Sequence, residues 1–439
     1  MQRQKRAPRA AVITLGCRVN QYESDAIAEA LEAAGFTVVP AGSAVDVTVV
    51  NTCTVTAESD RKSRQHIRRA AAASPGGHVI VTGCFAQVSP DSAASIAGVR
   101  AVLGNGDKAQ IARVARAIVD GETDYPCRPS GIMCAPYDNI TLRSPRRTRS
   151  YIKIEDGCEN RCAYCIIPQA RGRVRSKLPA DVLREAAAIA QAGCGEIILT
   201  GIETAAYGRD SGGAFSLASL MEQLSGIDGL RRIGLGSMDP SLMKDSFLET
   251  VSRLPAVLPH FHLSLQSGCS SVLRRMRRPY NAVQAMDRIR AIRRAFSEVM
   301  LTGDVIVGFP GETEEEFAET LAFCREAEFL HLHIFPYSIR RDTEAAAMPD
   351  QVPETVKKQR AARLAALQAE IKRELLGKYV NDHRDVPVQV LAEEKKGNVW
   401  IGHSEHYAEV SFSADCAEPG IILSVYLEDT DGDTVSGHV

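Results

Sequence analysis

The chain has 439 residues, enough for two to four domains, and 45% of them are hydrophobic, enough for ordinary buried cores. A net charge of only −2 does not advertise a nucleic-acid partner. No run of 18 apolar residues and no leader-type segment is present, so a cytoplasmic protein with no membrane span is expected.

Residues 9–120 alternate β-branched runs with helical stretches. Strands are predicted at 10–17 (AAVITLGC), 45–53 (VDVTVVNTC), 78–84 (HVIVTGC) and 101–105, with helices at 24–35, 58–73 and 107–120. Such alternation implies a parallel sheet covered by helices on both faces. Cys17, Cys53 and Cys84 each end one of these strands. Strand C-termini of a doubly wound sheet line one crevice, so thiols far apart in sequence converge there. Any one of them alone would read as a small buried hydrophobe. Together they predict a three-cysteine metal site, with glycines that let backbone amides come close.

Residues 121–149 hold Gly, Pro, Ser and Arg with little periodicity and read as a linker. The alternation resumes over 150–376. Strands are predicted at 151–156, 196–203, 231–237, 260–267, 300–309 and 331–338, with helices such as 179–193 and 313–329 between them. Six β/α units make a partial or full parallel barrel, whose chemistry sits at the C-terminal strand ends. Just past the first strand comes DGCENRCAYCIIP, with Cys158, Cys162 and Cys165 in C-x3-C-x2-C spacing. Three thiolates hold three irons of a [4Fe–4S] cube and leave the fourth iron open for catalysis. Zinc favours C-x2-C pairs with a fourth ligand, and none follows closely here. Twelve cysteines in a reducing compartment point the same way, to metal ligation and not to disulfides. Cys127, Cys134, Cys194, Cys269, Cys324 and Cys416 follow no such pattern and read as incidental thiols.

Residues 353–377 form a long amphipathic helix, and 377–439 break into short β-like runs typical of a small OB-like barrel. This last module is acidic, with four Lys/Arg against twelve Asp/Glu. Basic residues cluster elsewhere: Arg143, Arg146, Arg147 and Arg149; Arg171, Arg173, Arg175 and Lys177; Arg274, Arg275, Arg277 and Arg278. Clusters of this kind are the expected footprint of phosphate contacts.

The triplet and its context resemble the radical S-adenosylmethionine (SAM) superfamily. More specifically, TLGCRVNQYES, NTCTVTAESDRKSRQHIRR and VTGCFAQ resemble the N-terminal domain of the methylthiotransferases. DGCENRCAYCIIPQARGRVRS, LTGIETAAYG, HFHLSLQSG and GDVIVGFPGETEEEF are similar to their radical SAM domain, and 377–439 to a TRAM module. Of the family's three branches, Val19, Tyr22 and the NTCTVTAESDRKSRQ run resemble the one acting on N6-threonylcarbamoyladenosine at tRNA position 37. The other two act on isopentenyladenosine at that position or on a ribosomal-protein aspartate. A non-catalytic, metal-containing RNA-binding protein is the competing class. Glu203, Pro279 and the RRDTEAAAM segment depart from the family pattern.

The resemblance implies two [4Fe–4S] clusters, on Cys158, Cys162 and Cys165 and on Cys17, Cys53 and Cys84, together with SAM. Cleavage of SAM gives a 5′-deoxyadenosyl radical that removes hydrogen from C2 of the adenine, and the second cluster presents the sulfur to be transferred. Tyr164, just before the third ligand, and Gly201, Glu203, Ser237, Gln266 and Val307, at strand ends, are candidate SAM contacts. Arg171, Arg173 and Arg175 suit either the SAM carboxylate or tRNA phosphate. The expected partners are the tRNA anticodon loop, an electron donor and a sulfur source, with the enzyme a monomer. The acidic module either stacks on RNA through Trp400, Tyr407 or His406 or docks on the catalytic core.

Overall fold

The computed structural model describes residues 6–415 and 417–439, so the expectation for Cys416 lies outside the described residues. In the N-terminal unit a parallel sheet runs in the order Thr37–Val38, Arg9–Thr14, Val47–Thr52, His78–Gly83, Val99–Val102. The strand Val47–Thr52 is buried at every position, as a sheet covered on both faces requires. Ile27 and Leu31 of helix Arg18–Ala33 and Val114 and Ile118 of helix Ile111–Asp120 pack on one face. Ile67 and Ala70 of helix Ala57–Ala73, with Phe85, cover the other. The first helix begins directly after Cys17, not at Ser24. Its first turns carry Asn20 and Glu23, which interrupt the apolar period yet are fully buried by polar partners.

Residues 121–149 contain no helix or strand, but they strap the first unit to the next. The Tyr137 hydroxyl donates to Lys153 O (2.6 Å), Asp138 accepts from Lys108 N (2.7 Å), and Leu142 N donates to Glu185 (2.7 Å).

The second unit is a parallel array of six strands. Ser150–Lys153, Glu196–Thr200 and Arg232–Leu235 form one sheet. Ser237–Met238, His260–Gln266, Met300–Val307 and His331–Pro336 form the next. The third predicted strand breaks at Gly236: its first half pairs in one sheet and its second half in the other, which carries the array around. The first predicted strand is also divided. Glu155–Asp156 leaves the array to pair antiparallel with Arg175–Ser176, closing the base of the loop that holds Cys158, Cys162 and Cys165. Helices Pro179–Gln191, Leu217–Leu224, Ala282–Ala295 and Glu314–Ala327 bury their apolar stripes against the outer face of the array.

The long helix runs from Glu354 to Asp382, through the expected stop at Gly377. Leu376, Tyr379 and Val380 beyond the barrel are buried against the C-terminal module, and this burial extends the helix. That module is a closed five-stranded barrel in the order Val388–Lys396, Val399–Ser404, Glu409–Ser413, Val435–His438, Ile422–Thr430. Among the described residues no helix is long and apolar enough to cross a membrane.

Candidate active site

Cys158, Cys162 and Cys165 line one cavity of about 440 Å³, together with Arg173, Arg277 and Glu344. The loop that carries them has its own internal bonds. Cys158 N donates to Gly172 O (3.0 Å), and Cys165 N to Cys162 O (3.1 Å). Gly157 has φ +96°, and a Cβ there would stand 1.9 Å from Arg173 O, so the residue before the first cysteine must be glycine. Two sulfurs already receive donors: Ile167 N–H reaches Cys165 Sγ (3.4 Å) and Arg278 reaches Cys162 Sγ (3.3 Å). Arg278 is fixed in turn by Asp239 (2.6 Å) and Ser264 O (3.1 Å). Burial pushes the Cys158 and Cys165 thiols up to about 12, so a cation must replace their protons before they act as thiolates. Three thiols on one cavity with N–H donors at their sulfurs fit an iron–sulfur cluster with an open iron.

The second set assembles from strand ends. Cys17 stands at the N-cap of helix Arg18–Ala33, Cys53 follows strand Val47–Thr52, and Cys84 opens helix Cys84–Val88. A Cβ added to Gly16 (φ +97°) would lie 2.9 Å from Cys53 Sγ, and one on Gly83 (φ +93°) 2.4 Å from Thr52 O. The glycines thus let neighbouring strand ends close up, leaving a cradle that a side chain would fill. Cys84 Sγ receives Arg171 Nε (3.3 Å) and Asn105 Nδ2 (3.6 Å). This donor set fits a second cluster of the same type.

One short helix, Ile167–Arg171, joins the two thiol sets. Its first N–H is on Cys165 and its last side chain is on Cys84. Five residues of α-helix are only about 7.5 Å long. Arg171 is fully buried, paired with Glu23 (2.6 Å) and Asp156 (3.2 Å) and bonded to Asn20 Oδ1 (2.6 Å). Glu23 also meets Lys108 (3.3 Å) and Lys153 (2.9 Å). Burial alone would raise its carboxyl, but Arg171, Lys108 and Lys153 outweigh that and hold it well below the usual carboxylate range.

The basic clusters divide between internal and exposed side chains. Their reading as phosphate contacts is corrected only for the buried Arg149, Arg171, Arg175 and Lys177. Arg143, Arg146, Arg147, Arg173, Arg274 and Arg277 are exposed. Arg171 and Arg175 are buried, and Lys177 pairs with Glu185. Arg146, Arg147 and Arg149 pair with Glu32, Asp25 and Glu196, and Arg275 with Glu316. Arg173 is exposed at the mouth of the cysteine cavity.

The candidate SAM contacts divide. Tyr164 packs edge-on to Phe309, with ring centres 6.4 Å apart. Gly201 is tight against Glu155, where a Cβ would stand 2.6 Å from Oε2. Glu203 is buried, its N–H donates to Glu155 (2.8 Å), and burial together with the charge of Asp239 raises its carboxyl to about 7. Gln266 ends its strand with φ +71°. Ser237 begins a short strand and does not end one. Val307 is buried in the core beneath the helices, and its neighbour Ile306 packs beside Tyr164.

Sequence reasoning missed a wall of histidines. In the strand register, His262 faces Thr302, which faces His331, and Asp304 faces His333, all opposite the helix-covered side. The missed signal is the alternation in HFH and HLH. His262 meets Asp304 (3.2 Å) and Thr302 (2.8 Å), and Thr302 also meets His260 (3.0 Å). His260 stacks on Tyr407 of the C-terminal barrel at 4.2 Å, and Arg18 of the N-terminal unit bonds the Tyr407 hydroxyl (3.1 Å). Trp400 and His406 are buried, so stacking on RNA through these three rings is replaced by docking on the core.

Residues 152–324 match the family model described as the radical SAM superfamily, and residues 9–104 match that of "Uncharacterized protein family UPF0004". The solved structure of the radical S-adenosylmethionine methyltransferase TsrM from Kitasatospora setae shares the fold. Its TM-score is 0.58 at 15% identity, over 78% of this chain and 77% of its own. Fold, triplet and family model together define a radical SAM protein. The threonylcarbamoyladenosine tRNA methylthiotransferase MtaB of Bacillus subtilis (strain 168) is 40% identical over 94% of this chain and 92% of its own. Its counterpart in Thermotoga maritima is 38% identical over 91% and 90%. The chain belongs to the methylthiotransferase family of radical SAM enzymes.

Proposed function

We propose that this enzyme converts N6-threonylcarbamoyladenosine at position 37 of the tRNA anticodon loop to its 2-methylthio derivative. It works as a monomer with an external electron donor and sulfur source. The observation that carries this reading is the helix Ile167–Arg171, which sets two three-cysteine sites side by side. C2–H of adenine is an unactivated aromatic bond that no side-chain acid or base opens usefully, so the cofactor must carry the chemistry. Held by Cys158, Cys162 and Cys165 and by Cys17, Cys53 and Cys84, two [4Fe–4S] clusters with open irons supply, respectively, an electron with a SAM-binding position and a sulfur-carrying position.

The chain's own residues position these groups. Arg278 and Ile167 N–H fix sulfurs of one set, and Arg171 and Asn105 fix Cys84 of the other. Tyr164, Gly201, Glu203 and Gln266 lie on the side where SAM binds, and Arg173 meets tRNA phosphate. A loop base is cheap to splay out toward the histidine wall compared with a duplex base.

The test is nucleoside mass spectrometry after anaerobic reaction of reconstituted enzyme, SAM, reductant and sulfide with tRNA. One tRNA carries threonylcarbamoyladenosine and a parallel one isopentenyladenosine. A methylthio mass gain on the first alone is expected. A gain on the second alone overturns the substrate, and SAM cleavage with no gain on either turns attention to the ribosomal-protein aspartate. Cys17→Ala is expected to keep SAM cleavage and lose thiolation, whereas Cys158→Ala loses both.

A further inference from the structure

Away from the cysteines, at the opposite ends of the barrel strands, three side chains from three parts of the chain converge. Glu298 lies in the turn before strand Met300–Val307, His383 caps the long helix Glu354–Asp382, and His406 lies between strands Val399–Ser404 and Glu409–Ser413. Glu298 Oε2 is 3.1 Å from His383 Nε2 and 3.5 Å from His406 Nε2, and one ligand atom from each of the three residues lies within 4.8 Å of the others. Both imidazoles are buried, while Glu298 is half exposed.

The other ring nitrogens are already engaged. His383 Nδ1 lies 3.0 Å from the carbonyl of Tyr379, and a carbonyl only accepts, so that nitrogen carries the proton. His406 Nδ1 is 3.1 Å from the Tyr379 hydroxyl. In neutral His383 the Nε2 lone pair therefore points at a carboxylate oxygen. Two acceptors 3.1 Å apart repel unless a cation lies between them. An imidazole whose Nδ1–H is tied to a carbonyl, leaving Nε2 bare, is the arrangement that orients a histidine toward a metal. The spacing agrees. Tetrahedral zinc with bonds of about 2.0–2.2 Å puts its ligand atoms about 3.3 Å apart, and the two measured separations fall on either side of that value.

We propose that Glu298, His383 and His406 bind one divalent late first-row transition metal, with zinc the best match to two imidazoles and a carboxylate. The fourth position opens to water in a pocket of about 270 Å³ lined by Phe296, Lys378 and Asp382 among others. Arg293, also in that lining, is turned to Ala327 O (2.7 Å) and Glu328 (3.5 Å). The ion ties the catalytic barrel, the long helix and the C-terminal barrel together, and it stands apart from the redox chemistry.

The experiment uses the fully reconstituted holoenzyme, so that cluster thiols are occupied by iron. It is passed through metal-free buffer after one equivalent of zinc sulfate, and zinc and iron are measured by plasma mass spectrometry. Wild type is expected to retain about one zinc per chain, with only nitrogen and oxygen neighbours at about 2.0–2.2 Å in the zinc X-ray absorption spectrum. Glu298→Gln, a half-exposed position that tolerates the change, is expected to lose the zinc, keep its iron, and lose the zinc-dependent rise in thermal midpoint. Equal zinc in wild type and Glu298→Gln, a sulfur neighbour at about 2.3 Å, or no retained zinc in wild type overturns the proposal. The last outcome would make the trio an imidazolium–carboxylate contact.

Discussion

At the scale of single residues, the two thiol sets depend on neighbours that are not ligands. Gly16 is the sharpest case, because its φ of +97° and its contact with Cys53 both exclude a side chain. Gly16→Ala is expected to lower iron in reconstituted protein from about eight to about four atoms per chain. SAM cleavage, followed as 5′-deoxyadenosine release, should persist. Arg278 acts differently, since it bonds Cys162 Sγ and is held by Asp239. Arg278→Met removes the donor and leaves the Asp239 carboxylate uncompensated. SAM cleavage is expected to slow roughly 10–100-fold, the usual range for partners that orient metal ligands. Retained iron content would separate this effect from loss of the site.

At the scale of elements, helix Glu314–Ala327 illustrates what the sequence makes legible. A helix is predicted over 313–329, and it starts where Thr313 and Glu316 form a capping box. What the sequence does not show is that Glu316 also takes the fork of Arg275 (2.8 and 2.5 Å) and the Ser271 hydroxyl. Those bonds, Arg275 foremost, pull its carboxyl from the ordinary 4.5 to about 2. A depressed carboxyl stabilises the fold fully above its unfolded value and loses that contribution as pH falls toward the folded one. Glu316→Gln is expected to cost about 1 kcal/mol at neutral pH. The gap to wild type, measured by urea unfolding, should narrow progressively as pH falls from about 5 to about 2.

The same contrast runs through the fold. β-branched runs such as VTVVN are legible because burial on both faces leaves an apolar string. The start of the first helix was not legible, because Asn20 and Glu23 are buried by Arg171, about 150 residues away. One position of register separates Val307 from Ile306 and sends them to opposite faces. The histidine wall shows up only once three strands are laid side by side.

At the scale of the whole molecule, Glu23, Lys108, Lys153, Asp156 and Arg171 form one buried charge network across the join of the two α/β units. Arg171→Met leaves two buried carboxylates short of a partner and is expected to lower the unfolding free energy by about 3–5 kcal/mol. Urea titration of the anaerobic protein, followed by circular dichroism, checks this. The network also fixes an order of maturation. Synthesis proceeds from the N-terminus, so the sheet bearing Cys17, Cys53 and Cys84 leaves the ribosome before Arg171 has been made. Until the cysteine loop of the barrel has folded against it, Cys84 lacks its guanidinium donor. Glu23 then has only Lys108 to offset its burial, because Lys153 also arrives with the barrel. An N-terminal unit produced alone therefore carries all three of its thiols and still lacks half of the environment that would receive iron.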